Sequence, residues 1–164
     1  MNDGLERFNS LASEEAERGL RACFANAAWV AAVAAGRPYP DMSGVFAAAD
    51  SAWEGMARED WLAAFAAHPR IGERGGHAPR TSEREQSGVT SASPPTLAAL
   101  AAENRQYELR FGHVFLISAQ GRTADEVLDA LRRRMSNDPD TELKIAAGEQ
   151  RKITRLRLEG LLNQ

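Results

Sequence analysis

The chain has 164 residues, a length typical of one domain, and a net charge of −3 with acidic and basic residues interspersed. No basic face dominates, which argues against nucleic-acid binding, and the single cysteine, Cys23, excludes an internal disulfide. The longest wholly apolar run, residues 27–35, is much shorter than the roughly 20 residues that a membrane span needs. The start of the chain carries Asp3 and Glu6 and has no apolar stretch after a basic one, unlike a secretory signal. We therefore expect a cytoplasmic protein that binds neither nucleic acid nor membrane.

The first part of the chain is predicted to be helical. Residues 13–35 have helical spacing of apolar side chains, and Asn26 is the position where this helix is expected to break or bend. The two prolines and the glycine of residues 36–40 cannot continue a helix and end this element. Two more helices are predicted at residues 43–55 and 58–67, each with an apolar stripe.

The second part of the chain shows clear start and stop signals. Ser93, followed by two prolines, is expected to cap a long helix that Gly112 ends. Thr123 and Glu126 have capping-box spacing at the start of the next helix, and the last helix is predicted at residues 141–162. Residues 113–118 are an isolated apolar run rich in β-branched and aromatic side chains, which favours an extended segment. The prediction is an all-α, single-domain helical bundle over residues 1–164, with short connections and one extended segment near 113–118.

His68 is the candidate catalytic residue that the local sequence constrains most. Pro69 disfavours a helical backbone at the preceding residue, so His68 should lie at a helix C-terminus. The partial negative charge of a helix C-terminus raises the pKa of a nearby imidazole. A serine and a carboxylate, Ser82 and Glu85, follow at capping-box spacing, which is compatible with a structural role and with a functional one. A His/Glu pair can transfer a proton near neutral pH.

Arg157 is anomalous within the last helix. On a helical wheel centred on Ile153, with Leu156 close to that centre, Arg157 falls about 40° away and so inside the apolar arc. A buried guanidinium needs a partner because an unpaired charge is costly to bury. The side chain is expected either to extend past the edge of the helix into water or to meet a carboxylate inside a cleft. That carboxylate would belong to a residue such as Glu85 or Glu103, in a structural ion pair, or to an anionic substrate that the guanidinium binds bidentately.

Two other function classes fit the residues. In a non-catalytic helical interaction module, His68 and Arg157 would be structural. A metal-assisted hydrolase of an amide or ureide would use ligands such as His68, His77, His113 and Glu73, but none of these has the spacing of a known metal motif. We therefore expect no metal.

Four stretches of the chain resemble one known family, in order and over nearly the whole length. They are HPRIG from His68, SEREQSGV from Ser82, ENRQYELRFGHVFLIS from Glu103, and ADEVLDALRRRMSNDPDTELKIAAGEQRKITRLRL from Ala124. They resemble the decarboxylases of 2-oxo-4-hydroxy-4-carboxy-5-ureidoimidazoline (OHCU). The resemblance implies a cofactor-independent, stereospecific decarboxylation of this small anionic substrate to (S)-allantoin, the last step of urate breakdown to allantoin. It also implies an all-helical fold, and a homodimer by analogy alone.

The resemblance assigns a role to each matching position. It implies that His68 is the catalytic histidine and Glu85 its acidic partner, without deciding which of them delivers the final proton. The implied substrate contacts are Pro69, Ser82, Gln86, Arg157 and the backbone of Phe115, Leu116, Ile117, Ser118 and Ala119. The sequence departs from the family pattern at Val114, where relatives often have proline, and in residues 73–81, which are fewer than in many eukaryotic relatives.

Overall fold

The computed structural model describes residues 3–72, 81 and 84–164 of the chain. The described residues contain no β-strand, and the prediction of an all-α fold is confirmed. None of the described helices is both long and apolar enough to cross a membrane. In chain order the helices are α1 (Asp3–Ser10), α2 (Ser13–Cys23), α3 (Ala27–Ala35), α4 (Met42–Glu54), α5 (Arg58–Ala66), α6 (Ser87–Thr90), α7 (Pro94–Phe111), α8 (Ala124–Arg134) and α9 (Pro139–Leu162).

The predicted break near Asn26 is confirmed. α2 ends at Cys23, Phe24 is extended, and the side chain of Asn26 accepts a hydrogen bond of 2.9 Å from the backbone N–H of Trp29 at the start of α3. This bond satisfies one of the backbone donors that a helix start leaves unpaired. Asparagine therefore separates two helices that a continuous apolar pattern had joined.

Local signals also determine most helix ends in the second part. Gly112 ends α7 in the left-handed conformation with φ 78°, and Thr123 and Glu126 form the predicted capping box at the start of α8. Ser93 occupies the N-cap position of α7, but its hydroxyl pairs with the hydroxyl of Thr96 at 3.0 Å and caps no backbone N–H. The prediction of Ser93 as the N-cap residue is therefore confirmed, although its side chain makes no capping hydrogen bond.

The chain divides into two compact units, which are described separately. The first unit comprises residues 1–64 with residues 153–164, and the second unit comprises residues 65–152. The organisation as one domain stays a prediction. Helix α9 contributes its part up to Lys152 to the second unit and its remaining part to the first.

The core of the first unit is built on aromatic side chains. Phe24 packs against Trp29 and Trp53 with ring centroids 5.5 Å and 5.2 Å apart, and Phe24 and Trp29 are almost fully buried. Helix α1, which sequence patterning missed, lies against the end of α9, where a Cβ added to Gly4 would be 2.0 Å from the carbonyl oxygen of Leu162. An eight-residue helix with three buried residues offers too short a pattern to be recognised.

The core of the second unit joins both non-helical stretches that the sequence analysis singled out. Ile71 from the stretch after α5 packs in one buried cluster with Val89 of α6 and Leu100 of α7. Phe115 and Ile117, from the stretch before α8, belong to the same cluster. Side chains from the HPRIG motif and from the predicted extended segment therefore share one apolar core.

Candidate active site

His68 lies immediately after α5, as predicted. Its backbone N–H donates to the carbonyl oxygen of Phe65 at 3.1 Å, so the chain still follows the last helical turn. The imidazole is buried, with 9% of the residue exposed, and its Nε2 lies 2.7 Å from Oε1 of Gln150. Gln150 belongs to α9 and is itself 1% exposed. The ring is therefore held by a buried partner that lies 82 residues away in sequence.

The contact with Gln150 has a chemical consequence for the ring. An amide oxygen only accepts hydrogen bonds, so a neutral His68 in this arrangement carries its proton on Nε2 and presents Nδ1 as its basic nitrogen. The helical wheel that singled out Arg157 also places Gln150 about 60° from Ile153. The signal for this residue was therefore present in the sequence, as a polar side chain in an apolar arc.

The His68 segment, residues 68–72, is tied down along its length. The guanidinium of Arg70 binds both carboxylate oxygens of Glu108 at 2.6 Å and 3.2 Å, on the surface of the second unit. Asn104, which is buried in α7, donates through Nδ2 to the carbonyl oxygen of Ile71 at 3.1 Å. Gly72 has φ 90°, a backbone conformation that glycine adopts readily. These hydrogen bonds fix the residues that follow His68.

The predicted contacts from the next stretch are placed only in part. Gln86 is 5% exposed, and its Oε1 accepts the backbone N–H of Gly72 at 2.8 Å. This bond orients the amide of Gln86 and links it to the His68 segment. Glu85 is helical and half-buried, and Pro69 is half-buried beside His68. Ser82, and with it the predicted capping box of Ser82 and Glu85, lies outside the described residues.

The Phe115 segment, residues 115–119, is non-helical and pairs with no strand among the described residues. Four of its five residues are at most 4% exposed, and Ser118 is half-buried. Two arginines bind its carbonyl groups: Arg134 Nη1 donates to Leu116 O at 2.8 Å, and Arg122 Nε donates to Ser118 O at 3.0 Å. The backbone N–H of Arg122 also donates to Ala119 O at 3.0 Å. The segment is therefore held largely through its carbonyl oxygens.

Unlike the bound carbonyl groups, the backbone N–H groups of the Phe115 segment have no hydrogen-bond partner among the described residues. The hydrogen bonds that join described residues include none from the N–H groups of residues 115–119, and none to the carbonyl oxygens of Phe115 and Ile117. Buried backbone polar groups are almost always paired, since an unpaired one costs about as much as a lost hydrogen bond. The segment therefore offers polar backbone groups, in an apolar setting, that a small molecule can satisfy.

Short helix α6 connects Gln86 with the end of the Phe115 segment. A Cβ added to Gly88 would lie 2.5 Å from the carbonyl oxygen of Arg122, so only glycine allows this approach. Arg122 in turn binds Ser118, and Gln86 binds Gly72. Within the second unit, the structure thus brings together the His68 segment, Gln86 and the Phe115 segment.

A buried ion pair lies behind the Phe115 segment. Arg134 Nη2 is 2.6 Å from Oε2 of Glu142, whose side chain has 0% exposure, and the hydroxyl of Tyr107 donates to the same carboxylate oxygen. Burial, together with this bond to Glu142, raises the pKa of Tyr107 well above its ordinary value. The phenol is therefore neutral at neutral pH and donates its proton to the hydrogen bond with Glu142.

Arg157 is buried as predicted, with 8% exposure, and lies in the first unit. Its Nη1 donates to the carbonyl oxygen of Ala22 at 3.3 Å, near the C-terminus of α2, where a positive charge is favoured. Glu103, one suggested partner, instead binds Arg132 at 2.8 Å and 2.9 Å. A role for Arg157 in substrate binding stays a prediction.

The predicted centre of the apolar arc on α9 is partly wrong. Leu156, expected close to that centre, is 37% exposed, whereas Thr154 and Leu158 are buried. In the first unit the buried face of α9 is therefore rotated past Ile153 towards Arg157. The reason is that one average wheel cannot describe a 24-residue helix whose two parts pack in different units.

The metal ligands considered from the sequence are described only in part. His77 and Glu73 lie outside the described residues. Among the residues that the structure describes, no group of three or more His, Cys, Asp or Glu side chains is arranged to hold a metal ion.

A family model of OHCU decarboxylase matches residues 9–159, which is most of the chain. The chain belongs to the OHCU decarboxylase family. The match spans all the residues for which the resemblance implied a role. The decarboxylase motifs therefore occupy the described His68 and Phe115 segments of the second unit and the Arg157 position of the first.

Two relatives support the family assignment. The chain is 33% identical over 159 residues to the uric acid degradation bifunctional protein TTL of Arabidopsis thaliana, covering 93% of this chain and 49% of that protein. It therefore spans about half the length of this curated relative. It is 29% identical to the 2-oxo-4-hydroxy-4-carboxy-5-ureidoimidazoline decarboxylase of Haloferax volcanii, covering 94% of this chain and 93% of that one.

A solved structure in the same family has the same fold. It is described as a crystal structure of OHCU decarboxylase in the presence of (S)-allantoin, and it is 34% identical to this chain with a TM-score of 0.76. The similarity covers 90% of this chain and 99% of the solved one. The helical fold of the OHCU decarboxylase family therefore extends over nearly all of the chain.

Proposed function

We propose that the protein catalyses the stereospecific decarboxylation of OHCU to (S)-allantoin, without metal or organic cofactor, as the last step of urate breakdown to allantoin. The observation that carries the proposal is a motif histidine, held by Gln150, in the same unit as a buried segment whose backbone N–H groups have no hydrogen-bond partner among the described residues. Family membership and a 34% identical OHCU decarboxylase structure support it. Such a segment suits a substrate rich in amide and ureido groups, which both donate and accept hydrogen bonds.

The reaction requires three things of the protein. The bond between carbon 4 of the ring and its carboxylate breaks, CO₂ leaves, and the electron pair forms a double bond from carbon 4 to carbon 5, while the carbon 5–nitrogen double bond opens and places negative charge on that ring nitrogen. Fixed donors must stabilise that developing charge, because donors that are already oriented need no reorganisation during the reaction. A proton must then be added from one side only to carbon 5, which carries the ureido group, while the hydroxyl on carbon 4 loses its proton and becomes the carbonyl of allantoin. The buried surroundings must exclude water from the other side of carbon 5.

We assign the proton transfer to His68 with Glu85 as its acidic partner. In the arrangement with Gln150, the basic nitrogen Nδ1 of a neutral His68 can take up a proton while Nε2–H stays bound to the amide oxygen. Gln150 is therefore proposed as a positioning residue that sets the orientation and tautomer of the imidazole. The choice between His68 and Glu85 as the final proton donor stays open.

We assign substrate binding to the remaining motif positions. The backbone donors of the Phe115 segment bind the carbonyl oxygens of the substrate, and the amide of Gln86 binds its ureido group. Arg157 is proposed to bind the substrate carboxylate, since a guanidinium matches a carboxylate bidentately. Pro69 and Ser82 complete the contacts that family membership implies.

The direct test generates OHCU in place from urate with the two preceding enzymes and follows circular dichroism. The expected result is rapid appearance of optically active (S)-allantoin at a rate proportional to protein concentration. An unchanged spontaneous rate with a racemic product would reject the proposal and favour the non-catalytic module. Loss of activity with a chelator would favour a metal-assisted reaction instead.

The role of Arg157 can be tested against a matched arginine two residues away. Arg155 is about half exposed and pairs with Glu159 at 3.2 Å in the same helix. Arg157→Ala is expected to raise KM for OHCU strongly, because the anion loses its fixed partner, whereas Arg155→Ala should leave KM near the wild-type value. Equal, small effects of the two changes would remove Arg157 from the site.

We also propose an assembly and a location for the protein. A homodimer is inferred by family analogy alone, and light scattering after size-exclusion chromatography will distinguish it from a monomer. A cytoplasmic location is inferred from the sequence, and cell fractionation tests it.

A further inference from the structure

Arg134 connects the buried ion pair to the backbone of the Phe115 segment. Its Nη1 donates to Leu116 O at 2.8 Å, and its guanidinium carbon lies 4.5 Å from the centroid of the Phe115 ring. The arginine residue is 8% exposed. One side chain therefore contacts two successive residues of the segment, one through a charged hydrogen bond and one through its flat face.

The guanidinium is itself fixed by Glu142. Its Nε lies 3.1 Å and 2.9 Å from the two carboxylate oxygens, and its Nη2 lies 2.6 Å from Oε2. The carboxylate also accepts from the hydroxyl of Tyr107 and from Nδ2 of Asn137, the latter at 3.2 Å. With donors on both oxygens and its side chain fully buried, Glu142 holds the arginine in one orientation.

A peptide group transmits this orientation to the other side of the segment. The carbonyl of Leu116 and the N–H of Ile117 belong to the same planar, trans peptide unit, so they point in opposite directions. Fixing the carbonyl towards Arg134 therefore fixes the Ile117 N–H away from it. That N–H is one of the buried donors for which the bonds among described residues give no partner.

A gain in stability does not explain the buried pair of Arg134 and Glu142. A buried Arg–Glu pair loses so much hydration that a well-packed apolar pair is often at least as stable. An arginine of the same helix, Arg132, pairs with Glu103 at the surface, with 54% of its side chain exposed. Among the hydrogen bonds that join described residues, none links Arg132 to the Phe115 segment. Arg134 differs from Arg132 in that it is buried and binds the Phe115 segment, whose orientation it can therefore fix.

We propose that Arg134, held by Glu142 and Tyr107, is a positioning residue that directs the Ile117 N–H towards the substrate. The inference deepens the proposed decarboxylase function and rests on it for the identity of the substrate. It assigns a role to three buried residues outside the motif contacts.

The test replaces both charges together, so that no lone charge stays buried. The variant Arg134→Met with Glu142→Leu is compared with the surface pair changed in the same way, Arg132→Met with Glu103→Leu. Folding is checked by far-ultraviolet circular dichroism and thermal unfolding. We expect the buried double variant to raise KM for OHCU by about tenfold or more and the surface double variant to leave KM unchanged.

A second readout does not depend on turnover. Amide hydrogen exchange, resolved by residue, is expected to accelerate at Ile117 in the buried double variant relative to the core of α7, and to stay unchanged in the surface double variant. Support requires both a raised KM and faster exchange at Ile117. A folded buried variant in which either quantity keeps its wild-type value would overturn the proposal.

Two remaining outcomes are also decided. If the buried double variant does not fold, Arg134→Lys replaces it, because an ammonium keeps the charge but lacks the planar fork that binds Glu142 and Leu116 at once. The same two readouts and the same criteria then apply. If the wild-type protein does not convert OHCU, the proposed function fails, and the exchange measurement alone decides whether Arg134 orients the segment.

Discussion

The two non-helical segments of the second unit are held in opposite ways. The His68 segment is bound through side chains and backbone alike, by Gln150, Glu108, Asn104 and Gln86. In the Phe115 segment, arginine side chains bind carbonyl oxygens, and the N–H groups have no partner among the described residues.

The difference fits what each segment would contribute to the proposed decarboxylation. The His68 segment supplies a side chain, so its own backbone can be tied completely to the protein. The Phe115 segment supplies backbone groups, so it must be fixed from one side while its donors stay available on the other. We expect changes in the His68 segment to affect the chemical step, and changes behind the Phe115 segment to affect substrate binding.

The largest effect is expected from His68→Asn. The change removes the titrating ring from the segment while keeping a small polar side chain. General acid–base catalysis typically contributes ~10²–10⁴-fold, so kcat should fall by that amount while the fold survives. Initial rates of (S)-allantoin formation measure it, and a kcat within a factor of a few of wild type would take the chemistry away from His68.

A smaller loss is expected from Gln150→Leu, which removes the partner of His68 but leaves the ring in place. The imidazole of His68 becomes charged when Nδ1 takes up a proton during the reaction. Because a lost hydrogen bond to a charged group is worth roughly 1.5–3 kcal/mol, kcat should fall by about 10- to 100-fold. The pH dependence of kcat should also shift, because the partner stabilises one tautomer. Gln106→Leu makes the same change at an exposed position of α7 and should leave both quantities as they are. Equal pH profiles for Gln150→Leu and wild type would argue for a merely structural amide.

Asn104→Ala should weaken the support of the His68 segment without touching the ring. The change leaves the buried carbonyl of Ile71 without its donor, which costs about 1–3 kcal/mol. Urea unfolding measures this loss, with Asn163→Ala at the exposed end of the chain as the control. A free energy of unfolding equal to that of wild type would show that water replaces this tie at no cost.

The smallest effect is expected from the surface pair of Glu103 and Arg132, outside both segments. The hydrogen bond from Arg132 holds the pKa of Glu103 below its ordinary value. Because the folded pKa is lower than the unfolded one, the pair stabilises the protein above the unfolded pKa, about 4.3, and loses this contribution as pH falls through the folded pKa. The difference in urea midpoint between wild type and Glu103→Gln should therefore shrink as the pH falls below about 4. A difference in urea midpoint that grows on acidification would contradict a lowered pKa of Glu103 in the folded protein.

Short-range signals predicted most of the fold. The stop at Gly112, the box at Thr123 and the break at Asn26 each depend on residues within four positions, and all three are confirmed. Helix α1 was missed because it is short. The position of His68 at a helix end followed from Pro69 alone.

Partners that are distant in sequence were beyond local reasoning. Asn104 lies 33 residues from Ile71, and Gln150 lies 82 residues from His68. The helical wheel of α9 nevertheless placed two of these polar residues near the apolar arc, since Glu142 and Gln150 fall about 20° and 60° from Ile153. Sequence patterns did not predict which group each buried polar residue binds, because the partner depends on how the helices pack.

The most direct test of this account is a nuclear magnetic resonance titration of the wild-type protein with (S)-allantoin. We predict that the amide resonances of residues 115–119 shift and that their hydrogen exchange slows as (S)-allantoin saturates the protein. Both changes are expected because the N–H groups of these residues bind the carbonyl oxygens of (S)-allantoin. Saturation with shifts elsewhere, while those amides keep their free positions and exchange rates, would contradict the claim that this buried backbone binds the substrate.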